Sequence, residues 1–209
     1  MECWSCQAET HGAPICPSCG RIGLPAPGAT HFDTFGLRPG YDVDLAELER
    51  KYRDLSLKVH PDRYAQAAAH ERRAALEQTS ALNEAWRVLK DAVRRAFYLL
   101  RLHGVDLEAE QGAQRAQMPL DFLEEVMALR EQLERARANR DLPLARRMAE
   151  DVGREQRQAL DEAVAALREL ERDPAAEGPK RRATHALGRV RYFSRFLEEV
   201  EAMEEEALG

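Results

Sequence analysis

All four cysteines of this 209-residue chain lie within its first 19 residues, as Cys3-Trp4-Ser5-Cys6 and Cys16-Pro17-Ser18-Cys19. Nine residues separate the two Cys-x-x-Cys pairs. A segment this short cannot bury a core, so something other than apolar burial must fold it. A two-residue spacer lets both thiolates of a pair turn toward one ion, and zinc favours four such sulfurs in a tetrahedron. Metal binding then supplies the folding free energy, ~10–16 kcal/mol in structural zinc peptides. Cys3, Cys6, Cys16 and Cys19 are therefore read as ligands of a structural zinc, in a closed shell without a catalytic position. The spacing does not distinguish zinc from iron. Disulfides are disfavoured in a reducing compartment. A redox pair would open a helix in a βαβ context, which is missing here. Pro17 and Gly20 suit the tight turn of the second pair, and His11 reads as a turn residue rather than a fifth ligand.

The rest of the chain has a different grain. Charged residues make up 33% and hydrophobic residues 44%, a balance rich in Ala, Leu, Glu and Arg that points to helices. The net charge of -6 argues against a general nucleic-acid binder. Aromatics, at 6%, are too few for a stacking platform. No apolar run approaches the ~20 residues needed to cross a bilayer. The first residues carry neither a secretory signal nor an Arg-rich transit peptide. The expectation is a cytoplasmic protein with no membrane or nucleic-acid partner.

From Gly20 to Gly40 the sequence is rich in Gly and Pro and reads as a linker. Asp44 followed by Glu47 resembles a capping box that starts a helix. Leu45, Leu48, Tyr52, Leu55 and Val59 then recur at helical spacing. Arg50 and Arg53 share one flank of that stripe, and Lys51 and Lys58 another, so the outer side is basic. Pro61 ends the helix, because proline disfavours a helical residue before it. His60-Pro61-Asp62-Arg63 opens the loop. A second helix is expected over roughly Ala67 to Leu89, with Ala75, Thr79, Leu82, Trp86 and Leu89 as its seam. Together they predict an antiparallel helical hairpin.

Lys51-Tyr52-Arg53-Asp54-Leu55-Ser56, His60-Pro61-Asp62 and Asn83-Glu84-Ala85-Trp86-Arg87-Val88-Leu89 together resemble a J-domain. The resemblance implies binding to a DnaK-type ATPase chaperone and stimulation of its ATP hydrolysis. His60, Pro61 and Asp62 would be the trigger. Arg50, Lys51, Arg53, Lys58 and Arg63 would steer and rim the contact with an acidic chaperone surface. Arg95-Ala96-Phe97-Tyr98-Leu99-Leu100-Arg101-Leu102-His103-Gly104 is similar to the segment closing the J-domain of HscB-type co-chaperones, which serve iron–sulfur cluster assembly. Asp91-Ala92 stands where that family commonly has a proline, and a smoother join between helices is expected there.

From Pro119 onward the pattern is again helical. Phe122, Val126, Leu129 and Leu133 make one seam. Asp141 with Pro143 starts a second helix carrying Leu144, Met148, Val152, Leu160, Val164 and Leu167. After a turn marked by Asp173-Pro174 and Gly178-Pro179, a third carries Leu187, Val190, Phe193, Leu197 and Val200. Three helices with short connections predict an antiparallel bundle. Leu120, Leu123 and Met127 lie off the first seam, and Tyr192 and Phe196 off the last. Periodicity alone reads these as a broader core. The resemblance implies instead that Leu123, Met127 and Glu131, with Tyr192 or Phe193, bind an IscU-type scaffold, the helical wheel preferring Tyr192 as the exposed ring.

The reading is all-α: a zinc module over residues 1–24, a linker over 25–31, a J-domain over 32–104 and a three-helix bundle over 105–209. The resemblance implies an L-shaped arrangement of the last two. It also implies a non-enzymatic co-chaperone of iron–sulfur assembly with an HscA- or DnaK-type chaperone and an IscU-type scaffold as partners. The alternative is a general J-domain co-chaperone for other clients, redox-regulated through the cysteines.

Overall fold

The computed structural model of the chain describes residues 2–10, 12–107 and 118–208. His11 lies outside the described residues. Among them regular structure is helical, apart from two isolated antiparallel β-bridges. The chain divides between Arg95 and Ala96 into two compact units.

The cysteine segment is one small hairpin used twice. Glu2 bridges Glu9, and Ile15 bridges Ile22. The Cys3 amide donates to Ala8 at 2.8 Å, as that of Cys16 does to Arg21 at 2.9 Å. The residue after the second cysteine turns left-handed in both copies, Gln7 at φ 61° and Gly20 at φ 71°. Glycine takes that conformation freely, whereas Gln7 carries a strain of about 1–2 kcal/mol.

The segment expected to be a linker holds a short helix, α1 (His31–Thr34), closed by a reciprocal capping box between Thr30 and Asp33. It exists to deliver Phe32 and Phe35, both buried, against the next hairpin. That hairpin consists of α2 (Leu45–Val59), a 3-10 turn (Pro61–Tyr64) and α3 (Ala69–Lys90). Asp44 caps α2 by accepting the amides of Ala46 and Glu47. The Glu47 carboxylate turns to Lys51 at 3.2 Å. Leu48, Val59, Leu82, Ala85 and Leu89 are buried between the helices. Tyr52 stacks on Trp86 with centroids 4.8 Å apart and hydrogen-bonds Asn83 at 3.0 Å.

A polar row on α3 receives the cysteine segment. The Arg21 guanidinium donates to the buried Glu71 at 2.9 Å. The Gln78 amide donates to the Gly23 carbonyl at 2.9 Å. Trp4 bonds the Ile22 carbonyl at 2.8 Å and sets its ring edge-on to His70. Ile22 is fully buried.

The join after α3 is sharper than expected. Asp91 leaves the helical region at φ -92°, ψ 125°, and α4 (Ala92–Leu102) starts afresh. Its carboxylate accepts the Arg94 amide at 2.8 Å, so it starts a helix as an N-cap. An aspartate thus makes the break that a proline would otherwise make. The buried Arg95 donates to the Leu89 carbonyl at the end of α3 and lies over the Tyr41 ring.

The second unit holds α5 (Leu120–Ala138), α6 (Leu142–Arg172) and α7 (Glu177–Leu208). Asp141 caps α6 through the Leu144 amide at 3.0 Å. Gly178 and Pro179, expected in a turn, lie in the first turn of α7. Proline fits there because the first amides of a helix have no intrahelical acceptor. The ion pairs fix the directions of the helices. Arg146 meets Glu204 and Arg182 meets Glu169, so α6 and α7 run antiparallel. Arg130 meets Glu199 and Arg137 meets Glu206, so α5 and α7 run parallel. Leu167, Leu170, Leu187 and Val190 are fully buried between α6 and α7. Phe122 meets Tyr192 and Phe193 edge-on, at 5.6 and 5.8 Å.

Truncation of that aromatic cluster by Phe193→Ala is expected to cost about 3–5 kcal/mol in urea denaturation, as for a buried Phe. The Arg21 hydrogen bond holds the Glu71 carboxyl below its ordinary 4.5, against the upward push of burial. The folded value is then below the unfolded one, so this stabilisation is complete above about pH 4.5 and is lost as pH falls through the folded value. Glu71→Gln should therefore lower the denaturation midpoint at pH 7 by an amount that shrinks on acidification. Tryptophan fluorescence reads this unit alone, because Trp4 and Trp86 both lie in it. A deficit independent of pH would rule out the charge pair as its source.

Candidate functional site

The turn after α2 is the first candidate. His60 and Asp62 are exposed, with side-chain exposures of 56% and 91%. The Asp62 amide donates to Nδ1 of His60 at 3.3 Å, so the lone pair of Nδ1 faces inward. In a neutral ring that leaves the proton on Nε2, pointing away from the turn. Pro61 fixes φ and opens the 3-10 turn. His60, Pro61 and Asp62 thus form a small, outward-facing and stiff element.

The basic residues around it fall into different states. Arg50, Arg53 and Lys58 are exposed on α2. Arg50 lies 3.9 Å from Asp54, and Arg53 bonds Glu49. Exposed pairs of this kind are weak, so these side chains are held only loosely. Lys51 differs. Its ammonium donates to the Phe35 carbonyl at 3.0 Å and pairs with Glu47, with 26% of the side chain exposed. It ties α2 to the end of α1, a use invisible while α1 is read as linker. Arg63 reaches back to the Leu57 carbonyl at 3.3 Å. Leu57, 70% exposed within this basic face, was not singled out by sequence, because its helical seam lies elsewhere.

The cysteines form the second candidate. Their sulfurs all lie within 4.8 Å of one another. Cys3 faces Cys19 at 3.6 Å and Cys6 faces Cys16 at 3.7 Å, so the two hairpins oppose each other. Thiolates ~2.3 Å from a tetrahedral ion stand ~3.8 Å apart, and the cage fits that geometry. None is paired as a disulfide. Amides of Cys19 and Ser18 pull Cys16 down to about 6, and those of Cys6 and Ser5 lower Cys3. For Cys6 the Ala8 amide pulls down, but Cys19, burial, Cys16 and Cys3 together push it up to about 12. A fourth thiolate in so tight a cluster needs a cation to neutralise it, and the donor set suits one.

The third candidate is a stripe on α5. Leu120 is 71% exposed and Met127 64%. Leu123 is half-buried and Glu131 exposed. Their three- and four-residue spacing puts them on one face. Tyr192 and Phe193 do not join it. Their exposures are 7% and 2%, and both pack on Phe122. The preference for an exposed Tyr192 is thereby corrected. Helix α7 packs on both α5 and α6, so its apolar arc is wider than a single seam and takes in Tyr192 and Phe196. The stripe on α5 stays outside, while the off-seam aromatics of α7 go into the core.

Comparison with known proteins gives a consistent pattern. A family model for the DnaJ domain matches residues 30–98. One for the HSCB C-terminal oligomerisation domain matches residues 118–201. The co-chaperone protein HscB homolog of Vibrio cholerae is 35% identical over 181 residues, covering 86% of this chain and 99% of its own. That of Neisseria meningitidis is 36% identical over 126 residues, covering 60% and 74%. Among solved structures, human co-chaperone protein HscB superposes with a TM-score of 0.80 at 25% identity, covering 98% of each chain. Chaperone HscB from Vibrio cholerae gives 0.68 at 28%, covering 85% of this chain and 99% of its own. With a DnaJ domain and an HscB C-terminal domain in sequence, and a relative matched almost end to end, the chain belongs to the HscB family of co-chaperones, which act with an Hsp70-type chaperone in iron–sulfur cluster assembly.

Proposed function

We propose that this co-chaperone couples an IscU-type iron–sulfur scaffold to an HscA- or DnaK-type ATPase. The single observation carrying this is that one chain pairs an exposed His60-Pro61-Asp62 turn on a basic helix with an exposed Leu-Met stripe on α5. Residues 32–104 work as the J-domain and residues 105–209 hold the scaffold, with 25–31 as the link to residues 1–24. The basic face of α2, through Arg50, Arg53, Lys58 and Arg63, steers the encounter with an acidic chaperone surface. Lys51 acts from behind, by fixing α2. His60, Pro61 and Asp62 trigger hydrolysis, which the chaperone performs. The chain itself is a regulator without catalytic chemistry. Leu123 and Met127 supply apolar contact to the scaffold and Glu131 a charge, while Tyr192 and Phe193 support α5 from beneath. Holding both partners raises their effective concentration for each other. The site of action is the cytoplasm.

Cys3, Cys6, Cys16 and Cys19 hold a structural zinc. A bound ion cross-links the two hairpins and neutralises their thiolates. The chain's part is to aim the sulfurs, through the two left-handed residues Gln7 and Gly20.

His60→Gln is expected to abolish ATPase stimulation while leaving scaffold affinity, measured by calorimetry, unchanged. Leu123→Ala with Met127→Ala should do the reverse, weakening scaffold binding by about tenfold or more for two lost apolar contacts. Equal loss of both activities in either variant would refute the division of labour. The purified chain should carry one zinc by elemental analysis, and Cys3→Ser with Cys6→Ser should lose it while helical circular dichroism persists. Iron in place of zinc, or no metal in the wild type, would overturn the assignment.

A further inference from the structure

Pro61 leaves the end of α2 short of a hydrogen-bond donor. The carbonyl of Leu57 would normally accept the amide four residues on, and proline has none. The Asp62 amide, due to Lys58, goes to the His60 ring instead. The Arg63 amide, due to Val59, goes to the His60 carbonyl at 3.0 Å. Three successive carbonyls at the end of α2 are thus diverted from their helical donors. Each receives a side chain. Arg63 takes Leu57 at 3.3 Å, the Tyr64 hydroxyl takes Lys58 at 3.1 Å, and the Thr79 hydroxyl takes Val59 at 3.2 Å.

Two of these donors are local to the turn. Thr79 is not: it stands on α3 and ties the turn to the opposite helix. A threonine inside a helix ordinarily bonds the carbonyl four residues back. Thr184 does so on α7, to Lys180 at 2.8 Å. Thr79 turns its hydroxyl across the hairpin instead.

We propose that Tyr64 and Thr79 are positioning residues for the chaperone-stimulating turn: by capping the diverted carbonyls of Lys58 and Val59 they hold His60, Pro61 and Asp62 in the geometry the chaperone reads. The proposal rests on that tripeptide being the trigger. The hydroxyls touch no partner. They set the fraction of molecules whose turn is in register, while the basic face of α2 sets encounter and affinity.

The test is ATPase stimulation of a DnaK-type chaperone, titrated with the full chain carrying Thr79→Val, Thr79→Ser, Tyr64→Phe or His60→Gln. Thr79→Val and Tyr64→Phe should each lower maximal stimulation about three- to tenfold, the factor carried by one hydrogen bond. The half-saturating concentration should stay at the wild-type value. Thr79→Ser, which restores the hydroxyl, should recover the maximum, and exchange of the Asp62 amide should quicken in Thr79→Val alone of that pair. Wild-type maximal stimulation in Thr79→Val and Tyr64→Phe, or an equal loss in Thr79→Ser, overturns the positioning role. Should Thr79→Val fail to fold by circular dichroism, Tyr64→Phe and Thr79→Ser carry the same decision. Full stimulation by His60→Gln would instead overturn the trigger reading beneath it.

Discussion

Everything in the first unit is assembled on α3, and α3 can serve because small and polar residues are interspersed with the leucines on its buried surface. Ala74, Ala75, Gln78, Leu82 and Ala85 lie on its covered arc. The alanines let backbones approach closely, so one helix packs against α1 and α2 and still receives the cysteine segment. Glu71 and Gln78 would be a liability on an apolar face. Each has a partner across the interface, Arg21 and the Gly23 carbonyl, so neither is left unsatisfied on burial. The polar row also fixes register, since Arg21 and Gly23 flank Ile22 on one arm of the same small hairpin and meet residues seven apart on α3. An apolar row would tolerate sliding.

The basic face of α2 shows how charge is divided between holding a fold and facing solvent. Four cations of the helix and one of the turn have the same formal charge, but not the same role. Lys51 is spent inside the fold, on a carbonyl and a carboxylate. Arg63 caps the helix it follows. Arg50 and Arg53 make only exposed pairs along α2, which are weak and easily exchanged. Counting positive charges on a helical wheel therefore overstates the surface offered. What separates them is whether a second element lies within reach of the side chain.

Much of this was legible in sequence because it rests on local chemistry. Two Cys-x-x-Cys pairs, the caps Asp44 and Asp141, and Pro61 at the end of α2 each act within a few residues of themselves. The sulfurs, helix starts and turn lie where those signals put them. What was not legible depended on partners distant in sequence. Helix α1 is four residues long in a Gly- and Pro-rich stretch, and beyond its local capping box it depends on the burial of Phe32 and Phe35 and on Lys51 from α2. Asp91 reads as an ordinary helical residue until its carboxylate is seen capping α4. Tyr192 and Phe193 differ by one position on a wheel. Their burial follows from α7 having two neighbouring helices rather than one, which no single-helix pattern records.

The same logic explains why the α5 stripe stands out. Exposed Leu120 and Met127 bring no stability to the folded chain, since apolar side chains gain only when removed from water. Their helix has its own buried seam in Phe122, Val126 and Leu133, so the stripe is surplus to folding. Tyr192 and Phe193 are the reverse: they carry the apolar surface that α5 needs beneath it. A face that folding does not require, on a helix that packs through a separate seam, is what a binding surface needs. Side chains on such a face can be replaced while the buried seam is kept, and a surface already formed on a packed helix has a lower ordering cost in association than an unfolded one.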